Sequence, residues 1–144
     1  MTVLIVTPNF HLNGQCEEAI SLYKKAFDAE IMSLLRYGDA DPRDWQTPLT
    51  DRQKNLIYHA EMRIGNQRIM LSDILDFDLQ RGNSLFLTIT FPDARGVKEA
   101  YEILKDGGQI VYPMKNTTYS SCIVSLIDKY GFRWVLMTEC KASL

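Results

Sequence analysis

The sequence predicts an α+β fold made of two βαβββ modules whose curved mixed sheets surround a cavity. Three observations lead there. Most segments alternate apolar and polar residues with the period of a strand. Only two stretches carry apolar residues at helical spacing, so helices are few. The order strand, helix, strand, strand, strand then occurs twice, as a repeat of pattern rather than of sequence. One helix per module, laid on one face of its sheet, is an α+β arrangement. We expect a single domain over residues 1–144, with one module over about 1–73 and the other over about 84–140.

The elements follow in order. Residues 3–13 read as a first strand, with Phe10 and Leu12 on one side and Asn9, His11 and Asn13 on the other. Asn13-Gly14 ends it. Residues 15–27 carry Ala19, Ile20, Leu22, Tyr23, Ala26 and Phe27 at helical spacing, with Glu17 and Glu18 early and Lys24 and Lys25 late. That charge order suits the helix dipole. Residues 29–37 read as a second strand. Residues 38–55 form a long polar connection with two prolines, Asp39, Asp41, Asp44 and Trp45; connections of this length are usually lids or disordered. Residues 56–64 and 68–72 flank Gly65-Asn66-Gln67 as a hairpin. Tyr58, Ala60, Met62 and Ile64 share one face with Ile69 and Leu71 as the apolar set of the second arm, while His59, Glu61 and Arg63 share the other face.

The second module repeats the scheme after a linker over 73–83. Residues 84–91 alternate, with Leu85, Leu87, Ile89 and Phe91 on one face and Phe86, Thr88 and Thr90 on the other. Residues 93–106 form a helix with Val97, Ala100, Tyr101, Ile103 and Leu104 inward, stopped by Gly107-Gly108. Residues 109–113, 120–128 and 133–139 read as three strands, the last two joined at Lys129-Tyr130-Gly131.

Composition excludes several function classes. Hydrophobic residues make up 46% of the 144, enough for a sizeable core. Net charge is −2, and Lys and Arg are scattered without a basic stripe, which argues against nucleic acid as a partner. No apolar run approaches the roughly 20 residues that span a bilayer, so no membrane role is expected. The opening MTVLIVTPNF has neither the basic nor the long apolar region of a secretory signal. Cys16, Cys122 and Cys140 are odd in number and form neither a CxxC pair nor a zinc spacing. Reduced thiols in a cytoplasmic protein are the reading they support. No glycine-rich phosphate loop, Gly-x-Ser-x-Gly elbow or HExxH helix is present.

The chemistry centres on His59 and Glu61, two apart on one strand. Three readings stand: a metal site, a pocket pair in which neutral His59 orients a ligand or moves a proton, or a solvated hairpin face in which Glu61 pairs with Arg63 or Arg68. Cys122 reads as a nucleophile only if a histidine reaches it, and otherwise as a buried inert thiol. Tyr119 and Ser121 offer hydroxyls to a cavity. Trp45 caps a ligand or belongs to a small surface cluster. Asp73, at a strand end, reads as a turn cap. Met32, Met62, Met70, Met114 and Met137 read as adaptable core or pocket filling.

Three separated strings resemble one family. The helix EEAISLYKKAF after Val6-Thr7-Pro8 and Asn13-Gly14, the hairpin HAEMRIGNQRIMLSD and the closing DKYGFRWVLM resemble, in this order, the PhnB-like branch of the vicinal oxygen chelate superfamily. That superfamily includes glyoxalases, bleomycin-resistance proteins and extradiol dioxygenases. The strand TTYSSCIV departs from the branch's pattern. A methyltransferase label also used for the branch finds no glycine-rich nucleoside-binding turn here.

The resemblance implies a divalent metal held by the first and last strand of each module. By strand parity those positions fall near Asn9 and on Met70, and near Phe86 and on Val135. A register shift of two brings Thr7 or His11 to the first position and Ser84 or Thr88 to the third. Neither set makes the family's His/Glu site, because Phe and Val carry no donor. A relocated site at His11, His59 and Glu61 would have an open-site composition. We therefore expect no metal and no other cofactor, and a small organic molecule bound in a cavity lined by Asn9, His11, His59, Glu61, Met70, Phe86, Thr88, Tyr119 and Val135. The other reading is a divalent-metal-dependent lyase, isomerase or dioxygenase-like enzyme centred on His59. The resemblance also implies a homodimer.

Overall fold

The structure, a computed structural model, describes residues 2–139; Cys140 lies outside them. The chain divides into two compact units, the first ending at Leu79 and the second beginning at Gln80. Each holds one four-stranded mixed sheet, and the two sheets have the same strand order. The expected pair of βαβββ modules is therefore the architecture of this chain.

In the first unit β1 (Asn9–Leu12) is followed by α1 (Cys16–Phe27), β2 (Glu30–Arg36), a short α2 (Asp51–Lys54), β3 (Ile57–Ile64) and β4 (Gln67–Asp73). The sheet runs β1-β4-β3-β2, with β1 parallel to β4 and the remaining pairs antiparallel. The helix buries Cys16, Ala19, Ile20, Tyr23 and Ala26, spaced for one face. The facing strands bury Ala60, Met62, Ile69 and Leu71, and the ladder sets Ala60 opposite Leu71 and Met62 opposite Ile69. The hairpin turn is the two residues Gly65-Asn66, with Gln67 already in the strand. Gly65 takes φ +55, a conformation that glycine adopts without strain.

The second unit repeats this with β5 (Leu87–Phe91), α3 (Ala94–Leu104), β6 (Gln109–Thr117), β7 (Ser120–Ile127) and β8 (Arg133–Thr138), in the order β5-β8-β7-β6. Here α3 buries Val97, Ala100 and Leu104 over a sheet face holding Val124, Leu126, Trp134 and Leu136. Asp93 caps α3 by accepting from Gly96 N at 3.1 Å. Among the described residues no helix is long and apolar enough to cross a membrane.

Four elements differ from the sequence reading. The first strand begins at Asn9, and Val3, Leu4, Ile5 and Val6 stand exposed instead of pairing. Pro8 has no N–H to extend the ladder; its carbonyl accepts from Met70 N and the pairing stops there. β5 begins at Leu87 because its ladder to β8 starts at Trp134, leaving Leu85 and Phe86 ahead of the strand. β6 continues through Pro113 to Thr117; it is an edge strand with register shifts around that proline, where a missing N–H is tolerated. The connection over 38–55 is not a featureless loop. It winds through 3-10 turns at Tyr37–Asp39 and Pro42–Asp44 and ends in α2, whose Thr50 and Gln53 form a reciprocal capping box.

Asp73 holds the first unit's ends together. Its side chain is buried, with one carboxylate oxygen accepting from Cys16 N and the other from Ile57 N, both at 2.9 Å. Its carbonyl accepts from the Tyr37 hydroxyl at 2.6 Å. The aspartate thus caps α1 from a distant strand, placing a negative charge at the positive end of the helix dipole, and fixes the start of β3. Asp73→Ala would strand two buried amides at a cost of about 1–3 kcal/mol each. We expect urea unfolding of that variant to show a loss of about 3 kcal/mol, and a loss below about 1 kcal/mol would contradict this role.

Candidate functional site

Alternation places a second set of residues on the sheet face turned away from each helix. In the first unit the ladders align Ser33, Glu61, Met70 and Asn9 in one row across β2, β3, β4 and β1. In the second unit the corresponding strands align Tyr112, Ser125, Val135 and Thr88. The two rows are counterparts in the repeated topology. They also settle a register left open by parity alone: Thr88, rather than Phe86, stands beside Val135. Phe86 sits one step ahead of the strand, with the Arg133 guanidinium 5.6 Å from its ring centroid.

The rows contain the positions that the family resemblance suggests for an ion, on the first and last strand of each module. Here they carry an amide (Asn9), a thioether (Met70), a hydroxyl (Thr88) and an aliphatic side chain (Val135). This donor set does not fit a hard or borderline divalent cation, because Val135 has no donor, the Met70 thioether is soft, and one amide and one hydroxyl oxygen carry no charge. His59 and Glu61 lie next along the first unit's face, with Nε2 and Oε1 3.3 Å apart. Arg68 Nη1 approaches the same Glu61 oxygen at 3.7 Å, while Arg63 pairs instead with Glu30 at 3.1 Å. His11, opposite Ser72 in the β1–β4 ladder, has its ring beside Phe77, centroids 6.1 Å apart. Among the described residues no three His, Cys, Asp or Glu side chains are grouped as an ion would require. Glu61 therefore sits between a histidine and an arginine, in a polar patch that is about one-quarter to one-half exposed.

The second unit's face carries a cavity of about 480 Å³. Phe86, Tyr119 and Val135 line it, together with Tyr112, Lys115, Thr117, Ile123 and Ser125. Thr88 is level with Val135 in the ladder but is not part of the lining. The walls are largely apolar, with a few hydroxyls and one ammonium. Thr117 Oγ1 is buried there and has no hydrogen-bond partner among the described residues. A buried hydroxyl without a partner marks a place where a further group would be satisfied. Residues 114–117 are hidden from the sequence by Pro113, which ends the predicted strand too early. Ile123 and Ser125 were legible, since they alternate with the helix-facing Val124 and Leu126.

Other candidates resolve differently. Ser121 does not line the cavity; its hydroxyl lies 2.6 Å from Thr138 Oγ1, in a cluster that also holds Ser120 and the Cys122 amide. Cys122 is buried on the face it shares with Val124. Trp45 belongs to an aromatic triad in the first unit, its ring centroid 5.5 Å from those of both Tyr37 and Tyr58. Tyr58 donates its hydroxyl to Asp44 Oδ2 at 3.0 Å, and this bond raises the phenol's pKa.

The comparisons agree with this architecture. No family model matches the chain. Protein YjdN of Escherichia coli K12 is 22% identical over 137 residues, covering 91% of this chain and 92% of YjdN. Among solved structures, protein PA1353 of Pseudomonas aeruginosa superposes with a TM-score of 0.81 at 22% identity, covering 95% of this chain and 98% of its own. A glyoxylase/bleomycin resistance protein/dioxygenase domain from Frankia sp. EAN1pec gives 0.68 at 11% identity over 99% and 96%. The paired βαβββ units thus have the glyoxalase/bleomycin-resistance fold. The chain is also similar to a PhnB protein from Bacillus cereus, at 26% identity, with a TM-score of 0.70 and coverage of 94% of this chain and 99% of that one.

Two groups around Asp73 set an alkaline limit. Burial, then the Asp73 and Asp76 carboxylates, push the Tyr37 phenol up to about 12. Burial, then Asp73 and Glu17, push the Cys16 thiol up as well. In the unfolded chain these groups ionise near about 10 and about 8.5. The unfolded state therefore sheds protons first, and stability falls as pH rises above those values. We expect the melting temperature to drop between about pH 9 and pH 11, with a shallower drop for Tyr37→Phe. An unchanged slope in that variant would contradict the assignment to Tyr37.

Proposed function

We propose that this PhnB-like protein binds a small organic molecule in the second unit's cavity, without the ion used by enzymes of its superfamily. The observation that carries this is Val135. It occupies a position where an ion's ligand would stand, and it forms part of the cavity wall instead. A neutral or anionic ligand with an apolar body suits the lining, because Lys115 is its only charged group and the Tyr119, Thr117 and Ser125 hydroxyls offer hydrogen bonds. In this reading Phe86, Tyr119 and Val135 contact the ligand, and Thr88 supports Val135 from the neighbouring strand. Asn9, His11, His59, Glu61 and Met70 share the corresponding face of the first unit's sheet and are proposed as ligand-binding residues of that face.

The domain reading is one vicinal oxygen chelate domain formed by both units, working as a cytoplasmic homodimer. Support for the dimer comes from the exposed apolar run Val3, Leu4, Ile5 and Val6, a surface that a second copy would cover. Free, buried Cys16 and Cys122 suit a reducing compartment.

A melting-temperature screen of untagged protein tests the central reading. A ligand present at about 100 times its Kd stabilises the native state by about 2.7 kcal/mol. Organic compounds are expected to raise the melting temperature of the native protein but not of Val135→Trp, whose side chain fills the cavity. Ni²⁺, Co²⁺, Mn²⁺ and Zn²⁺ are expected to give no saturable rise. A stoichiometric rise with one of these ions, abolished by His59→Ala, would overturn the proposal in favour of a metal-dependent lyase, isomerase or dioxygenase-like enzyme.

A further inference from the structure

The first unit holds a concavity of a different chemical character. It measures about 650 Å³ and lies between the segment after β2 and the end of β4. Tyr37, Trp45 and Tyr58 supply aromatic walls, Asp44 and Asp76 supply carboxylates, and no lysine or arginine lines it. The second unit's cavity has the reverse balance, with Lys115 and no carboxylate. We propose that the first-unit concavity is a separate binding site for an organic cation, of the quaternary ammonium class.

The rings and charges of this concavity hold one another in place. Tyr37 and Tyr58 stack at 4.8 Å, and Trp45 meets Tyr58 edge-on, so the three rings form a fixed aromatic corner. The Tyr58 hydroxyl holds the Asp44 carboxylate beside that corner. An ammonium group is attracted to ring faces and to carboxylates together, and it needs no hydrogen-bond donor in its host. The supporting segment is anchored at both ends. Tyr37 N donates to Leu56 O at 3.0 Å, and the capping box closes with Gln53 N donating to Thr50 Oγ1 at 3.1 Å. Anchoring of this kind lowers the ordering cost of binding. A neutral ligand would leave Asp44 and Asp76 unmatched, and an anion would be repelled by them.

Titration calorimetry on the full chain tests this, with choline and benzyltrimethylammonium as probes. The control is the neutral isostere of choline in which carbon replaces nitrogen. Saturable binding of the cations is expected, at least about tenfold tighter than the isostere. Asp44→Asn, an exposed position, is expected to weaken the cations about tenfold and leave the isostere unchanged, with an unaltered circular dichroism spectrum. Tryptophan fluorescence gives a second readout. Of the two tryptophans, Trp134 is fully buried with its Nε1 bonded to Asp128, so a cation at this site changes the Trp45 emission. No saturable binding of either cation, equal binding of the isostere, or an unchanged affinity in Asp44→Asn would each overturn the proposal.

Discussion

The first unit depends on a buried carboxylate that forms no ion pair among the described residues. Asp73 is buried at the end of β4 and satisfies two amides from separate elements, one starting α1 and one starting β3. A buried charge is costly unless its hydrogen bonds are complete. Both of its oxygens are engaged here, so the residue specifies one arrangement of helix, strand and turn rather than merely tolerating it. The second unit meets a similar demand with Asp128, after β7. Its side chain accepts from Tyr130 N at 2.9 Å, Phe132 N at 3.1 Å and Trp134 Nε1 at 2.8 Å. The tight turn and the fully buried indole of β8 are thereby locked together.

Around these anchors the sheets are held by burial. Each fully buried aliphatic side chain of the helix-facing layers contributes about 2 kcal/mol relative to exposure. An exposed ion pair such as Arg95–Glu99 contributes far less, because water and salt screen it. The helix-facing layers therefore set strand register, because a slip by one residue would turn Ala60 and Met62, or Val124 and Leu126, away from their helices. The opposite faces are free to vary in chemistry once the register is fixed. One presents a polar patch around Glu61, and the other a largely apolar cavity around Val135.

Much of the fold was legible in the sequence because its signals are local. Period-two alternation in HAEMRI and RIML gave the hairpin faces, and the spacing of Ala19, Ile20, Tyr23 and Ala26 gave α1. The order of elements gave the duplication. What escaped depends on partners distant in the chain. Nothing near Val3 shows that Pro8 ends the ladder to β4, and nothing near Pro113 shows that β6 is an edge strand able to carry a proline. Sequence alone suggests only a local turn cap for Asp73, because its two amide partners lie 57 and 16 residues away. The site was partly legible. Parity alone found Met70 and Val135, while the choice between Phe86 and Thr88 needed the actual parallel register. The aromatic corner of Tyr37, Trp45 and Tyr58 joins a strand to the middle of a long connection, a contact that no periodicity encodes.

The repeated rows set Met70 and Val135 at corresponding positions of the two units, and neither side chain suits a hard or borderline divalent ion. Methyl-labelled NMR with added Mn²⁺ tests the consequence most directly. A paramagnetic ion broadens the methyl signals of residues close to where it binds. The account predicts that substoichiometric Mn²⁺ leaves the Met70 and Val135 methyls no broader than those of other residues. Selective broadening of both methyls would place an ion in the rows and contradict the account.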